Sequence, residues 1–430
     1  MKRVLKYFVS TIVIMLLFAT AIVLETKNGW FYSAIAEKTE TQNFVNEVKN
    51  VLKTEFAGNF AMAVISNGVV EKEVFNSFGK KVDRTSIFQV ASLSKWVSAV
   101  GVMKLVEQGK LDLDEPISSY LTRWNLPESE FDHQKVTVRR LLSHTAGLTD
   151  GLGYSGFNSR KEVQSLESSL TKALDADEGL SGVVKVGMEP GTAFKYSGGG
   201  YTVLQLLVEE VSGKTFAEFM KEEIFEPLKM NHSTYVLADS SEKDLVEFYN
   251  ADSTKAQHYY YTSLAATSLY TTLADLEIFF QVFLPGKNGE PIGRNVIEAK
   301  TLKKMREPHA STMGMDIWGL GTILYASTEN GDSIIGHDGK STPPINTAIR
   351  LDPETGNGVI ILETGNTLLA SKLASEWVFW KTGKVDLVLF TMLKDKMVSS
   401  ILKVFMLVPI LAILIGFFRR KKRVIKDVSN

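Results

Sequence analysis

Phe88-Gln89-Val90-Ala91-Ser92-Leu93-Ser94-Lys95 runs from an extended, β-prone approach into an apolar helix read as Ser92 to Gln108 and stopped at Gly109. On a helix, residues three apart share a face, which sets Lys95 beside the Ser92 hydroxyl. A serine needs a neighbouring base to attack a carbonyl, and a desolvated neutral lysine can serve. The start of a helix also aims backbone N–H groups at a developing oxyanion. Spacing alone is weak evidence, because Ser-x-x-Lys begins at Ser77, Ser92, Ser169, Ser240 and Ser400. Context separates them. Ser77 lies in a turn-rich stretch, Ser169 and Ser240 in polar segments and Ser400 beside a long apolar run. Only Ser92 stands where a strand-like approach meets a helix apolar enough to be buried.

Upstream, Asn43 to Phe56 has helical spacing, with Phe44, Val45, Val48, Val51 and Leu52 on one face. Phe60 to Ile65 reads as a strand that turns at Ser66-Asn67-Gly68 into Val69 to Phe75, a hairpin. Downstream, Tyr201 to Val211 is helical and stops at Ser212-Gly213. Ser333 to Gly336, Thr347 to Leu351 and Gly358 to Glu363 read as strands, and Ala370 to Lys381 returns to helix. Strands at both ends with helices between predict an α/β fold of the α+β type. Its single antiparallel sheet is built from both termini, flanked by helices, with a helical region inserted.

Two further stretches supply candidate side chains. In Pro190-Gly191-Thr192-Ala193-Phe194-Lys195-Tyr196-Ser197-Gly198 a Pro-Gly turn leads to a tyrosine and a glycine-rich corner. Tyr196 near Ser92 and Lys95 would relay protons; a tyrosine merely packing at a loop corner is the competing reading. Tyr154-Ser155-Gly156 is a similar triplet without the Pro-Gly lead or the following helix. His337-Asp338-Gly339 ends the Ser333 to Gly336 strand, where a side chain can line a cleft and a glycine lets substrate backbone approach. A second oxyanion donor is expected at the Lys340 N–H.

With 48 basic against 49 acidic residues, the formal net charge of -1 offers nucleic acid no global attraction. The absence of cysteine excludes thiol nucleophiles, thiolate metal sites and disulfides. None of the six histidines pairs at ligand spacing and no phosphate-cradling glycine loop appears, so neither metal nor cofactor is expected.

The two ends differ from the rest. A basic start, Met1 to Tyr7, precedes an apolar run from Phe8 to Leu24, the pattern of a signal peptide or membrane anchor. Met397 to Phe418 is long enough to cross a ~30 Å hydrocarbon core if Lys403 snorkels, and Arg419-Arg420-Lys421-Lys422-Arg423 follows directly. Basic residues mark the cytoplasmic side of a span. The expected organisation is a signal or anchor at 1–36, an extracytoplasmic domain at 37–384 and a juxtamembrane linker at 385–396. A transmembrane helix at 397–418 and a basic cytoplasmic tail at 419–430 complete it.

In this order the segments resemble the serine beta-lactamase-like family, in its class C beta-lactamase and D-alanyl-D-alanine carboxypeptidase branch. Phe88 to Lys95 is similar to its nucleophile motif, and Leu105 to Pro116 to the segment after it. Leu141-Leu142-Ser143-His144-Thr145-Ala146-Gly147-Leu148 matches a signature whose histidine is structural. Phe225 to Met230 and Tyr270 to Leu276 continue the likeness, which spans about residues 45 to 380. The resemblance implies an active site between an antiparallel-sheet domain and a helical one. It implies a Ser92 acyl-enzyme whose proton is managed by Lys95 and Tyr196 and whose ester is hydrolysed by water without metal. It also implies that His337, Gly339, Lys340 and Gly198 contact substrate or the oxyanion. Two departures stand out. The usual Tyr-x-Asn is Tyr196-Ser197-Gly198 here, which removes an amide that holds the lysine and the substrate amide. Pro343-Pro344 follows the His-x-Gly strand where glycine is usual. Both favour peptidase or esterase activity on cell-envelope acyl or D-alanyl groups over efficient beta-lactamase turnover. A beta-lactamase and a catalytically silent binding protein are the alternatives. The expected partners are a small or cell-wall acyl substrate and the lipid bilayer; no oligomeric state is implied.

Overall fold

Asn67 and Gly68 both have positive φ, 51° and 70°, and join two strands whose right-handed twist such a turn accommodates. The computed structural model describes residues 2–30, 32–38, 40–150, 154–312 and 314–428, with the side chains of residues 2–4 and 419–428 outside that description. The basic side chains at Lys2, Arg3 and Arg419 to Arg423 therefore lie outside the described residues.

The hairpin strands are β1 (Asn59–Ser66) and β2 (Val69–Asn76). Six more strands come from the last third of the chain: β3 (Ala310–Thr312), β4 (Met315–Trp318), β5 (Ile323–Ser327), β6 (Ser333–Ser341), β7 (Ile345–Leu351) and β8 (Gly358–Thr364). Together they make one eight-stranded antiparallel sheet in the order β2-β1-β8-β7-β6-β5-β4-β3. The N-terminal hairpin thus lies against the last strand, with Asn59 opposite Thr364, as a sheet built from both ends requires. β7 and β8 are buried along their whole length, so they read as continuous apolar runs rather than as alternation.

Three strands, β3 to β5, were not expected from the sequence; they are short and broken by Gly314, Gly319 and Gly321. His337-Asp338-Gly339 does not end β6 but lies inside it, because β7 continues to pair with it as far as Ser341 opposite Ile345. Pro343 and Pro344 occupy the turn from β6 to β7.

The longer helices among the described residues are α1 (Lys2–Asn28), α2 (Thr41–Thr54), α3 (Ser94–Glu107), α4 (Gly198–Ser212), α5 (Leu369–Thr382) and α6 (Leu387–Val428). α2 buries Phe44, Val45 and Val48 on one face. α3 is buried on every side over Ser94 to Met103, which explains its unbroken apolar character, and Trp96 packs edge-on to Phe279. Its first turn, Ala91–Leu93, is a tighter 3₁₀ turn, so the α-helix starts two residues after Ser92.

The chain forms two units. One, residues 36–377, contains the sheet and the inserted helices. The other comprises residues 1–35 and 378–430, in which α1 and α6 pack together. Leu5–Asn28 and Leu387–Phe418 are each long and apolar enough to cross a membrane. The segment 385–396, expected as a linker, belongs from Leu387 onward to the unbroken helix α6, whose spacing of apolar residues continues straight into the following run.

Candidate active site

Ala91 adopts φ 47°, a left-handed conformation that costs a non-glycine residue about 1 kcal/mol. Its carbonyl accepts the Ser94 hydroxyl at 2.6 Å, while Ser94 Oγ accepts the Leu269 N–H at 2.9 Å. Val90 N–H donates to Leu269 O at 3.0 Å, fixing the strand-like approach from the other side. These bonds hold a sharp corner between Phe88–Gln89 and α3, and Ser92 stands on it, half-buried.

Lys95 is 1 % exposed, and its Nζ donates to Ser92 Oγ at 3.2 Å and to Ala266 O at 2.9 Å. Among the described residues no carboxylate pairs with it. The Tyr196 ring centre lies 5.0 Å from the same Nζ. Ser92, Lys95 and Tyr196 are therefore together, and all three line a cleft of about 830 Å³ with Gly198, His337 and Lys340. Lys340 presents an exposed side chain there. Gly339 lies beneath: a Cβ at that position would fall 2.1 Å from Val90 O and 2.3 Å from Thr347 Oγ1, two atoms already bonded to each other at 2.8 Å. Glycine at 339 is what lets β6 lie against the segment that carries the serine.

Tyr196 precedes α4, whose first turn explains the Tyr-Ser-Gly sequence. Ser197 is the N-cap, its Oγ accepting the Gly200 N–H at 2.8 Å and donating to Asp150 Oδ1 at 2.6 Å. Asp150 Oδ2 accepts the Gly199 N–H at 3.0 Å, placing a buried carboxylate at the positive end of the helix. Gly198 is the first helical residue and brings no side chain to the lysine.

His337 is buried, and its Nδ1 lies 2.6 Å from Asp338 O. A carbonyl only accepts, so Nδ1 carries the proton and Nε2 is a bare acceptor with no partner among the described residues. Burial, with the Lys95 charge second, drives the imidazole down to about 3, so it is neutral at physiological pH. Asp338 is held by Arg350, whose Nη1 meets Oδ1 at 2.9 Å and whose guanidinium stacks 3.4 Å from the Tyr325 ring centre. That buried pair, like Asp150 and the cleft-lining Trp318, Tyr259 and Tyr261, was not picked out in the sequence. A three-tyrosine run at 259–261 was the available signal; the ion pair left none, because its partners come from different strands.

Tyr154 also lines the cleft. Its hydroxyl is bonded to Thr202 Oγ1 at 2.7 Å, and burial pushes its pKa far above the ordinary phenol value. Among the described residues, no group of three or more His, Asp or Glu side chains is arranged to hold a metal ion.

The family model described as Beta-lactamase matches residues 48–376. A penicillin-binding protein of Bacillus subtilis is 37 % identical over 148 residues, covering 34 % of this chain and 30 % of its own length. A second B. subtilis protein, PbpX, whose name also refers to penicillin binding, is 25 % identical over 291 residues, 66 % of this chain and 67 % of its own. The chain thus spans under a third of one relative and about two thirds of the other. Among solved structures, the octameric penicillin-binding protein homologue from Pyrococcus abyssi superposes with a TM-score of 0.66 at 23 % identity, covering 81 % of this chain and 78 % of that one, a likeness of fold.

Proposed function

The chain belongs to the Beta-lactamase family, and from that premise we propose that it is a membrane-attached serine hydrolase acting through a Ser92 acyl-enzyme on acyl or D-alanyl groups of the cell envelope. The observation that carries this reading is the buried Lys95 Nζ at 3.2 Å from Ser92 Oγ, on the wall of an open cleft. Ser92 Oγ attacks the acyl carbon while its proton leaves through the Lys95–Tyr196 pair. That pair returns the proton to the departing group, and water then repeats the sequence on the ester. The Lys340 N–H on β6 and the Ser92 N–H are the oxyanion donors in this reading. His337, buried and neutral, lends the wall of the cleft no charge.

Membrane attachment rests on the two apolar helices and on the basic residues outside them in sequence, which assign both ends to the cytoplasmic side and residues 37–384 to the outer side. A second reading, a cleft that binds without turnover, is favoured by one observation: Gly198 supplies no amide to Lys95 or to substrate.

Ser92→Ala decides between them. The hydrolase reading expects loss of ester hydrolysis and of labelling by a fluorescent penicillin or a fluorophosphonate. Undiminished turnover in that variant sinks it, and ligand binding by a wild type that forms no acyl adduct in intact-mass analysis selects the second reading. Protease digestion of intact spheroplasts is expected to remove residues 37–384 and leave a C-terminal tag protected; the reverse pattern overturns the topology.

A further inference from the structure

Tyr196 projects into the cleft with 42 % of its surface exposed, and among the described residues its hydroxyl has no hydrogen-bond partner. A phenol so placed swings on its own side-chain torsions unless its ring and backbone are held, and a displacement of about 1 Å is enough to impair proton transfer. One residue holds both. His144 accepts the Lys195 N–H on its carbonyl oxygen at 2.8 Å and the Ser197 N–H on its Nδ1 at 3.1 Å, gripping the residues on either side of Tyr196. Its imidazole then lies against the Tyr196 ring, with centres 4.4 Å apart and planes 35° from parallel. Trp318 backs the imidazole edge-on at 4.7 Å, and Tyr201 and Phe194 close the remaining sides.

We propose that His144 is the positioning residue of the Tyr196 phenol, holding its ring from behind and the backbone on either side of it. This rests on the reading of Ser92 as nucleophile and Tyr196 as its proton carrier.

Three features fit the role. His144 has φ 56°, a conformation that non-glycine residues other than Asn, Asp and His seldom adopt, and it turns the carbonyl and the ring nitrogen toward the same three residues. The side chain is 2 % exposed, and burial with the neighbouring Lys95 charge keeps it neutral, well below the usual imidazole range. Because Nδ1 accepts from a backbone N–H, the ring proton sits on Nε2, and protonating Nδ1 would set donor against donor.

The test uses the full chain in detergent, with wild type, His144→Asn, His144→Phe and Ser92→Ala. Asparagine keeps an acceptor near the Nδ1 position and tolerates the left-handed backbone but loses the ring; phenylalanine keeps a ring and loses the acceptor. Active sites are counted with a fluorophosphonate, so that misfolded protein does not enter kcat. His144→Phe is expected to lower kcat for a chromogenic ester about 10- to 100-fold with little change in KM, and to displace a limb of the kcat/KM pH profile. His144→Asn is expected to recover part of both. Wild-type kcat and pH profile in folded His144→Phe and His144→Asn overturn the positioning role while Ser92→Ala stays inactive. Turnover that survives Ser92→Ala instead overturns the hydrolase reading. Should neither His144 variant fold, imidazole ¹⁵N resonances of the wild type decide: a proton on Nε2 supports the role and a proton on Nδ1 overturns it.

Discussion

The cleft has two Tyr-Ser-Gly triplets on its walls, identical in sequence and unlike in chemistry. At 154–156 the phenol is tied to Thr202 Oγ1, Ser155 donates to Asp177 Oδ1 at 2.8 Å, and Gly156 turns back with φ 75° against Tyr259 and Tyr261. At 196–198 the phenol is unbonded among the described residues and faces Lys95, Ser197 caps a helix, and Gly198 starts it. The tripeptide itself therefore carries no function. What separates the two is the surroundings of each phenol: a hydroxyl partner, Thr202, that satisfies the one at 154, and at 196 a ring whose centre lies 5.0 Å from Lys95 Nζ.

Removing the two hydroxyls should show this difference most plainly. Tyr196→Phe is expected to slow Ser92 acylation ~10²- to 10³-fold, measured by stopped-flow labelling, with the melting temperature nearly unchanged. A variant within twofold of wild type breaks the distinction between the walls.

The second test concerns pH. Asp175 belongs to the 154 side, its carbonyl accepting the Ser155 N–H at 2.8 Å. Its carboxylate has no partner among the described residues, and burial raises it to about 6. A raised acid favours the fold while protonated. Its contribution is complete below about pH 4, the unfolded value, and is lost as pH climbs through about 6. Asp175→Asn should therefore match wild type at pH 3.5 and exceed it by about 3 kcal/mol at pH 8 in urea unfolding. Equal stabilities at both pH values contradict the buried, unpaired carboxylate.

Tyr154→Phe deletes a satisfied buried hydroxyl and leaves Thr202, which still bonds Ser263 at 2.6 Å. A loss of about 1 kcal/mol in stability is expected, with kcat within roughly twofold of wild type. A kinetic defect as large as that of Tyr196→Phe makes both walls catalytic.

The smallest effect is expected from Gly198→Asn, which restores the Tyr-x-Asn pattern. Stability should change by under ~0.5 kcal/mol, because asparagine is only slightly better than glycine within a helix. The ratio of nitrocefin to ester turnover should rise if the missing amide sets that preference, and an unchanged ratio assigns the preference elsewhere.

Sequence made some of this visible and hid the rest for physical reasons. Asn67-Gly68 announces its hairpin because the required positive φ angles select those residues. The Ser92–Lys95 pair is visible because one helical repeat fixes their proximity, whichever tertiary contacts surround them. Cross-strand relations leave no such mark. Arg350 meets Asp338 across the β6–β7 pairing, and His144 meets Ser197 from 53 residues away. Strands β3 to β5 escaped notice for a related reason: three to five residues interrupted by glycine carry too little alternation to be read. The Tyr154 triplet carries no signal of its place in the cleft, because no helix follows it and the cleft is formed there by loops.

The pairing of β1 with β8 also governs the order in which the molecule can be made. Asn59 finds its hydrogen-bond partner Thr364 only after 305 further residues have been synthesised. Until then the hairpin can close on itself, but its inner edge stays open, a row of unpaired backbone groups available to any other strand. The domain is thus a late folder by topology, and loop closure on that scale is slow relative to the formation of its helices. A nascent chain of this kind remains threadable until its last strand emerges. A truncation just before Gly358 removes β8 and separates the β1–β2 hairpin from the other five strands, rather than leaving a smaller version of the same domain.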